Sequence, residues 1–219
     1  MRAYKFTDPQ ACGMFTGFQW PQPAGDEPGA WVRTPEDLRV CVAGVHACRT
    51  AHVPYWLGAE LWEIELAGEV IEAPHKLVAS AGRLTRRIDG WPDTQAAFAD
   101  DCAARTLELA TAVLRGAGCG ALADAALDAA GSSADLQAVA LAAADAAPVL
   151  AATLIGYALD CALDIDNGYH SMCAYVAATA FANHSTGDTV QDMTSDGWAQ
   201  ERARQASWLA DRLGLRDGD

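Results

Sequence analysis

The segment from Cys41 to Glu72 holds the densest set of side chains in this chain that can do chemistry. It contains two cysteines, two histidines, two tryptophans, one tyrosine and five glutamates. Imidazole and carboxylate groups act as acids and bases, and together with thiolates they bind metals. This segment is therefore the first candidate for a functional site.

Two glutamates in this segment form a possible acid–base pair. Glu63 and Glu65 lie in the stretch from Leu61 to Val70, where apolar and polar residues alternate. Such alternation predicts a β-strand, and its period of two puts both carboxylates on the same face. A carboxylate pair suits general acid–base work or the binding of a ribose diol. An exposed strand face would show the same pattern, so both interpretations stay open.

A histidine and a cysteine form a second candidate group. His46 and Cys48 are two apart on another predicted strand, and His52 follows about one helical turn later. The set could hold zinc or iron, or Cys48 could be a nucleophile activated by either histidine. A buried histidine beside an inert core cysteine explains the same residues. The spacing assigns no metal or cofactor.

The elements that must position these residues begin with a region of short strands and turns in residues 1–91. Strands are predicted at Arg2 to Phe6, Leu61 to Val70 and Lys76 to Ile88. A helical turn is predicted at Thr50 to Leu57, with Pro54 in its first turn. Glycines and prolines between the first strand and Cys41 predict a loop. Several aromatic residues lie in this loop.

From Asp93 onward the hydrophobic period becomes that of helices. The sequence therefore predicts an α+β protein: a small mixed β-sheet domain in residues 1–91, followed by an Ala-rich α-helical bundle in residues 93–216. Ser132 or Ser133 is the expected N-cap of one helix. The remaining predicted helices are Leu122 to Ala130, Ala134 to Ala147, Val149 to Leu163, His170 to His184 and Trp198 to Leu213.

Charge and cysteine usage limit the class of protein. The chain has 15 basic and 29 acidic side chains, a net charge of -14, which repels nucleic-acid phosphates and anionic lipids. We therefore expect a small-molecule ligand, no nucleic acid and no membrane surface as partners, and a homodimer through Ala-rich faces is a possible assembly. The seven cysteines include no CxxC pair and the chain opens without an apolar leader, so a cytoplasmic protein with reduced thiols is predicted.

Three short motifs resemble small uncharacterised phage and actinobacterial proteins. They are Ala3-Tyr4-Lys5-Phe6, Gly44-Val45-His46-Ala47-Cys48 and the strand LWEIELAGE from Leu61 to Glu69. In those proteins an AYKGF start leads to a GFHAC segment and a YxEVExxGE strand. The resemblance covers about the first 90 residues, and it implies no activity.

More remotely, the order of these pieces is similar to the first half of the ADP-ribosyltransferase fold of the poly(ADP-ribose) polymerase type. That resemblance implies that Lys5 stands where the family has the histidine that binds the nicotinamide ribose. It also implies a stacking role for His46 and places Tyr55 near a second tyrosine of the family site. Lys76 to Ile88 contains no glutamate, so the resemblance implies either that Glu63 or Glu65 takes the part of the family's catalytic glutamate or that the transfer reaction is absent.

The leading hypothesis is a small-molecule or nucleotide-acting enzyme with a degenerate ADP-ribosyltransferase-like N-terminal domain. It requires His46 and the two glutamates to open into one cavity. One alternative is a non-catalytic interaction protein with an acidic helical bundle, and another is a metal-dependent enzyme that uses His46, Cys48 and His52. The predicted catalytic residues are His46, Glu63 and Glu65, and the predicted cofactor-binding residues are Tyr4, Lys5, Tyr55, Trp56 and Trp62.

Overall fold

The computed structural model describes residues 1–34 and 37–218 and confirms the α+β class. A five-stranded sheet comes first and six α-helices follow. The strands are β1 (Arg2–Thr7), β2 (Val32–Arg33), β3 (Val45–Ala47), β4 (Glu60–Ala73) and β5 (Lys76–Arg87), with a 3-10 helix at Thr50–Tyr55. The helices are α1 (Trp91–Gly116), α2 (Gly120–Asp128), α3 (Ser133–Ala146), α4 (Val149–Asp166), α5 (His170–Thr186) and α6 (Asp196–Leu213).

The chain divides into two compact units. The sheet unit contains Met1–Thr94 and the segment from Gln205 onward, and the helical unit contains Gln95–Arg204. The sequence-based division, at residues 1–91 and 93–216, placed the C-terminal segment with the helices instead.

The C-terminal segment belongs to the sheet unit because its backbone is hydrogen-bonded to β1. The Tyr4 hydroxyl accepts a hydrogen bond from the Arg216 N–H at 2.7 Å and donates one to the Arg216 carbonyl at 3.0 Å. The Asp217 carboxylate accepts from both the N–H and the hydroxyl of Thr50. These partners are more than 160 positions apart in the chain, so local sequence patterns do not reveal them.

The sheet is antiparallel in every described strand pair, where a mixed sheet was predicted. Its order is β1-β4-β5-β2, and β3 also pairs with β5. β4 and β5 are consecutive and are joined by a turn of two residues, a connection that only antiparallel strands can make.

Four of the strands are linked in a closed order. β1 pairs with β4, β4 with β5 and β5 with β3, and a bridge between Tyr4 and Cys48 joins β3 back to β1 through two hydrogen bonds of 2.8 Å. The side chains of Ala3, Val45 and Ile64 share one buried cluster, and they define the interior face of the strands. Alternate residues therefore point to an outer face.

The helical unit has its own core of small and branched side chains. Ala143, Leu154, Ile155 and Ala180 are fully buried in it. Ser132 caps α3, since its side chain accepts a hydrogen bond from the Asp135 N–H at 3.2 Å, as the sequence predicted. Among the described residues, none of the helices combines the length and the apolar character needed to cross a lipid bilayer.

Candidate functional site

Glu63 and Glu65 line one cavity on the outer face of the sheet unit. Its volume is about 380 Å³. The strand register builds it, because β1 places Tyr4 beside Glu63 and Arg2 beside Glu65. We call this cavity the outer groove, and its lining residues are Met1, Arg2, Glu63, Ile64, Glu65, Thr85 and Gly218.

Three donors surround the Glu63 carboxylate. Its Oε1 lies 3.4 Å from Arg2 Nε and accepts from the Thr85 hydroxyl at 3.3 Å, and its Oε2 lies 3.3 Å from Arg86 Nη2. The Glu63 side chain is only 15% exposed, whereas those of Arg2 and Arg86 are 49% and 62% exposed. The carboxylate is therefore fixed in place while its cationic partners reach solvent.

Glu65 is the more accessible of the two acids, with 41% of its side chain exposed. Its Oε2 accepts from Arg83 Nε at 2.8 Å and lies 2.7 Å from Arg83 Nη2. Arg83 in turn lies 4.7 Å from the centre of the Trp31 ring, which restricts its guanidinium. The Glu65 carboxylate is thus partly exposed to solvent and held in position by Arg83.

Tyr4 shares the outer face with Glu63 but does not reach solvent. Its side chain is buried, and burial is the main cause that raises the pKa of its phenol. Its hydroxyl is already bonded to the backbone of Arg216. Tyr4 is therefore a buried structural residue that does not line the groove.

Lys5 and Trp62 lie on the opposite, interior face. They are paired across β1 and β4. The Lys5 amine donates to the His46 carbonyl at 2.9 Å and lies 4.9 Å from the centre of the Trp20 ring. Burial lowers the pKa of Lys5 to about 8, and the nearby Cys48 partly opposes this effect. The Trp62 indole N–H donates to the Thr7 hydroxyl at 3.0 Å.

His46 is held by backbone groups of its own loop. Its Nε2 accepts from the Cys41 N–H at 3.1 Å, and its Nδ1 lies 3.1 Å from the Gly44 carbonyl. This arrangement requires the neutral tautomer with the proton on Nδ1. Burial lowers the pKa of His46, and the charge of Lys5 lowers it further.

The structure does not bring His46 to the two glutamates. β3 is bonded to β5 and to β1, so a strand separates His46 from Glu63 on either side. The side chains that line the outer groove come from other positions. The shared cavity that the sequence hypothesis requires is therefore replaced by a groove around Glu63 and Glu65 alone.

The structure does not arrange His46, Cys48 and His52 as a metal site or as an activated nucleophile. Burial raises the pKa of the Cys48 thiol to about 12, so the nucleophilic thiolate is scarce at neutral pH. The ring of His52 packs edge-on against Tyr55 and His75. Across residues 1–34 and 37–218, no three His, Cys, Asp or Glu side chains are placed to share an ion.

Tyr55 and Trp56 pack against the turn between β4 and β5. The Tyr55 ring stacks on His75 with centres 3.9 Å apart and planes at 10°. The Trp56 indole N–H donates to the His75 carbonyl, and the Lys76 amine lies 5.0 Å from the centre of the Trp56 ring. The predicted site residues are therefore divided among the outer groove, the interior face and this turn.

From the sequence, the basic cluster of Arg83, Arg86 and Arg87 could bind a single phosphate, but a solvated strand face is the preferred interpretation, and Arg2 and Thr85 are not selected. Arg2 and Thr85 belong to no recognisable sequence motif, whereas Arg83 and Arg86 belong to a basic run of the chain. Their relevance comes from register, because β5 places Arg86 beside Glu63 and Arg83 beside Glu65. Alternation in β5 opposite an acidic strand is the signal that points to them.

Comparison with known proteins adds no relative: no family model, no curated protein sequence and no solved structure matches this chain. The groove itself offers carboxylate acceptors next to the solvent-exposed guanidinium groups of Arg2 and Arg86. Such a mixture fits a ligand that carries both hydroxyl and anionic groups.

Proposed function

We propose that the sheet unit binds and acts on a small molecule of the nucleotide class in the outer groove, with Glu63 and Glu65 as the contacting acids. The observation that carries the proposal is that these two carboxylates, each held by arginine, line a single cavity. Carboxylates that accept from a ribose diol are a common way to hold nucleotides. The arginines supply donors for a phosphate group.

The size of the groove limits the ligand. Its volume of about 380 Å³ lies near the lower end of the range for small-molecule sites, roughly 300 to 1,000 Å³. A sugar phosphate or a mononucleotide is the class that this volume suits, and a dinucleotide would extend into solvent. This conclusion keeps the nucleotide class implied by the ADP-ribosyltransferase resemblance but does not use His46.

Exposure suggests different roles for the two acids. Glu65 is the better general base or hydroxyl acceptor because it reaches solvent more than Glu63 does. Glu63, which has three donors around it, fixes the arginines that meet the anionic group. Catalysis by Glu65 requires that a ligand hydroxyl displace part of its pairing with Arg83.

Calorimetric titration tests this proposal. We expect AMP and ribose 5-phosphate to bind more tightly than ribose or inorganic phosphate alone, and Glu65→Gln to weaken binding at least about 10-fold, which is roughly 1.4 kcal/mol. The matched control is Glu69→Gln, an exposed acid on the same strand whose side chain does not line the groove. Equal affinity of the two variants and the wild-type protein would remove the groove as the binding site.

Catalysis needs a separate readout, because binding alone does not make an enzyme. Incubation of the protein with a nucleotide panel, followed by chromatography, should show a product that Glu65→Gln fails to form. If Glu65→Gln binds weakly and the wild-type protein forms no product from any nucleotide, the groove is a binding site without an assigned reaction.

Exposed apolar side chains in the helical unit favour a second candidate function, non-catalytic association of two copies. Such side chains often mark interaction surfaces. Light scattering should then show a dimer at micromolar concentration that Leu141→Glu or Val149→Glu dissociates, and a monomer at every concentration would contradict it. The large apolar side chains of the helical unit that are more than half exposed are Leu141, Val149, Tyr169, Val190 and Met193.

A further inference from the structure

A thiol and an amine from distant parts of the sheet unit lie within reacting distance. Lys76 Nζ is 2.8 Å from Cys41 Sγ. The buried thiols of Cys161 and Cys173 make contacts of 3.5 to 3.9 Å. Atoms poised to react typically approach to about 3 to 3.5 Å, so the nitrogen and sulfur of this pair are already inside that limit.

Both side chains are held in place by other groups. The Lys76 amine, at the start of β5, lies 5.0 Å from the centre of the Trp56 ring. The Cys41 backbone donates to His46 Nε2 at 3.1 Å and has a φ of 64°, a left-handed conformation that a residue with a side chain rarely adopts. The contact is therefore a consequence of two positioned backbones.

Cys41 is open to solvent, unlike the buried Cys48. It lies in a tight turn closed by hydrogen bonds between the backbones of Arg39 and Ala43. A small oxidant can reach its sulfur there. Exposed thiols with a neighbouring reactive group are the sites where oxidation is selective.

We propose that Cys41 and Lys76 form an oxidant-dependent covalent cross-link, a sulfenamide between Sγ and Nζ. In the first step hydrogen peroxide oxidises the Cys41 thiol to a sulfenic acid: the O–O bond breaks, sulfur gives up two electrons and one water leaves. In the second step the neutral Lys76 amine attacks Sγ. The S–N bond forms, the S–O bond breaks, and the hydroxyl leaves as water with a proton from the amine.

The cross-link joins the turn around Cys41 to the beginning of β5, across 35 positions of the chain. Closing such a loop restricts the unfolded chain and stabilises the folded unit. A thiol reductant reverses it by cleaving the S–N bond, which returns the thiol and the amine while the reductant becomes a disulfide. The pair thus acts as a reversible modification site for peroxide.

Mass spectrometry of the full chain tests the proposal. After treatment with hydrogen peroxide and digestion after acidic residues, we expect one species that joins the Cys41 and Lys76 peptides, lighter than their sum by two hydrogen atoms. Dithiothreitol should abolish it, and Cys41→Ser and Lys76→Arg should lack it. Cys12→Ser is the matched control, since the Cys12 thiol donates to the amide oxygen of Gln19 at 3.2 Å and interacts with the Asp8 carboxylate, and it should form the cross-link normally.

Two further measurements, the thermal midpoint and the acetylation of Lys76, compare each protein before and after peroxide, so a difference in stability between variants does not affect the result. Peroxide should raise the thermal midpoint of the wild-type protein and of Cys12→Ser, but not of Lys76→Arg. It should also protect Lys76 from acetylation. Recovery of Cys41 as a sulfinic acid with Lys76 still open to acetylation would overturn the proposal.

Discussion

Lys5 shows how a single residue in this fold acquires unusual chemistry. Its amine lies on the interior face of β1, where it meets a carbonyl and an indole ring. Burial lowers its pKa from 10.5 to about 8. The folded protein therefore holds this proton less tightly than the unfolded chain does between these two pH values, and folding is opposed wherever the amine must be charged.

Lys5→Met should remove this pH dependence. Below pH 8 the wild-type protein carries the full unfavourable effect of the buried charge, on the order of 3 kcal/mol. That effect declines as the pH rises from 8 towards 10.5, so wild-type stability should increase relative to the variant by about 2 kcal/mol between pH 7 and pH 9.5. Chemical denaturation of both proteins at the two pH values measures the difference.

The control for this experiment is Arg33→Met, which removes an exposed cation from β2. Its difference from the wild-type protein should be the same at both pH values. The comparison cancels the opposite contribution of Cys48, whose raised pKa makes the folded state less stable as the pH rises above 9. A Lys5→Met difference that does not change with pH would show that the amine is solvated.

Residue placement could be predicted from sequence where it depends on local geometry. Glu63 and Glu65 share a groove because a period of two is a property of one strand. The position of His46 relative to them depends on which strands are neighbours, and that is decided by register between distant segments. The pairing of Arg86 with Glu63 and of Arg83 with Glu65 could not be predicted for the same reason.

At the scale of elements, the helices were the most predictable part of the fold. The helix expected at Ala134 to Ala147 is α3 (Ser133–Ala146), and the one expected at His170 to His184 is α5 (His170–Thr186). Helix signals are carried by neighbours three and four positions apart, and by caps such as Ser132. Alternation from Val40 to Cys48 predicts a longer strand than β3, which is limited to Val45–Ala47 because strand length depends on the partner β5.

The hairpin of β4 and β5 depends on a bulge at Gly68. The register shifts between Ala67 and Val70, and Gly68 has a φ of 78°. A Cβ there would lie 2.1 Å from Ser80 Oγ, whose hydroxyl accepts from the Glu69 N–H. An irregularity of this kind bends a strand and increases its twist, which supports the closed order of the strands.

Gly68→Ala should therefore destabilise the sheet unit by about 1 to 3 kcal/mol. The added methyl group meets the Ser80 hydroxyl and the backbone conformation becomes unfavourable. Urea denaturation followed by tryptophan fluorescence gives the change in the free energy of unfolding. Gly90→Ala is the control in the same unit, because its Cβ would have an ordinary contact of 3.5 Å with Leu213, and it should stay within about 0.5 kcal/mol. Similar effects of both changes would exclude a special role for the bulge.

The C-terminal turn of α4 is electrostatically unfavourable. It ends with acids and has no basic residue in its last turn, where the helix dipole favours cations. The pKa of Asp164 is raised, first by burial and then by the charge of Asp160. An acid whose pKa is raised on folding lowers stability at every pH where it is ionised, and this effect disappears once the pH falls below its unfolded pKa.

Asp164→Asn should therefore stabilise the protein at pH 7 by about 0.3 to 1 kcal/mol, with no gain at about pH 3, where the wild-type carboxyl is protonated. Asp135→Asn is the matched control, because Asp135 lies in the first turn of α3, where an acid is favourable. That change should lower stability at pH 7 by a similar amount. Thermal melts of the three proteins at both pH values provide the test, and the same sign for both variants would contradict the dipole argument.

At the scale of the whole molecule, the excess of acid is unevenly distributed. Of the 29 acidic and 15 basic side chains, 14 acidic and four basic ones fall within Gln95–Arg204. The helical unit thus has a net charge of 4 - 14 = -10, out of -14 for the chain. In the sheet unit, acids such as Glu63 and Glu65 are paired with Arg86 and Arg83. Repulsion between unpaired acidic side chains is therefore concentrated in the helical unit.

Sodium chloride should therefore raise the thermal midpoint, because it screens this repulsion over a Debye length that shrinks from about 30 Å at 0.01 M to about 10 Å at 0.1 M. Salt also weakens exposed ion pairs such as Arg115 with Asp124, but each of these contributes only about 0 to 1 kcal/mol. The double variant Asp128→Asn/Asp145→Asn removes two exposed charges from α2 and α3, and its midpoint should respond less to salt. A midpoint that falls with salt in the wild-type protein would mean that the ion pairs outweigh the net charge, since chloride at these concentrations has little other effect on folding.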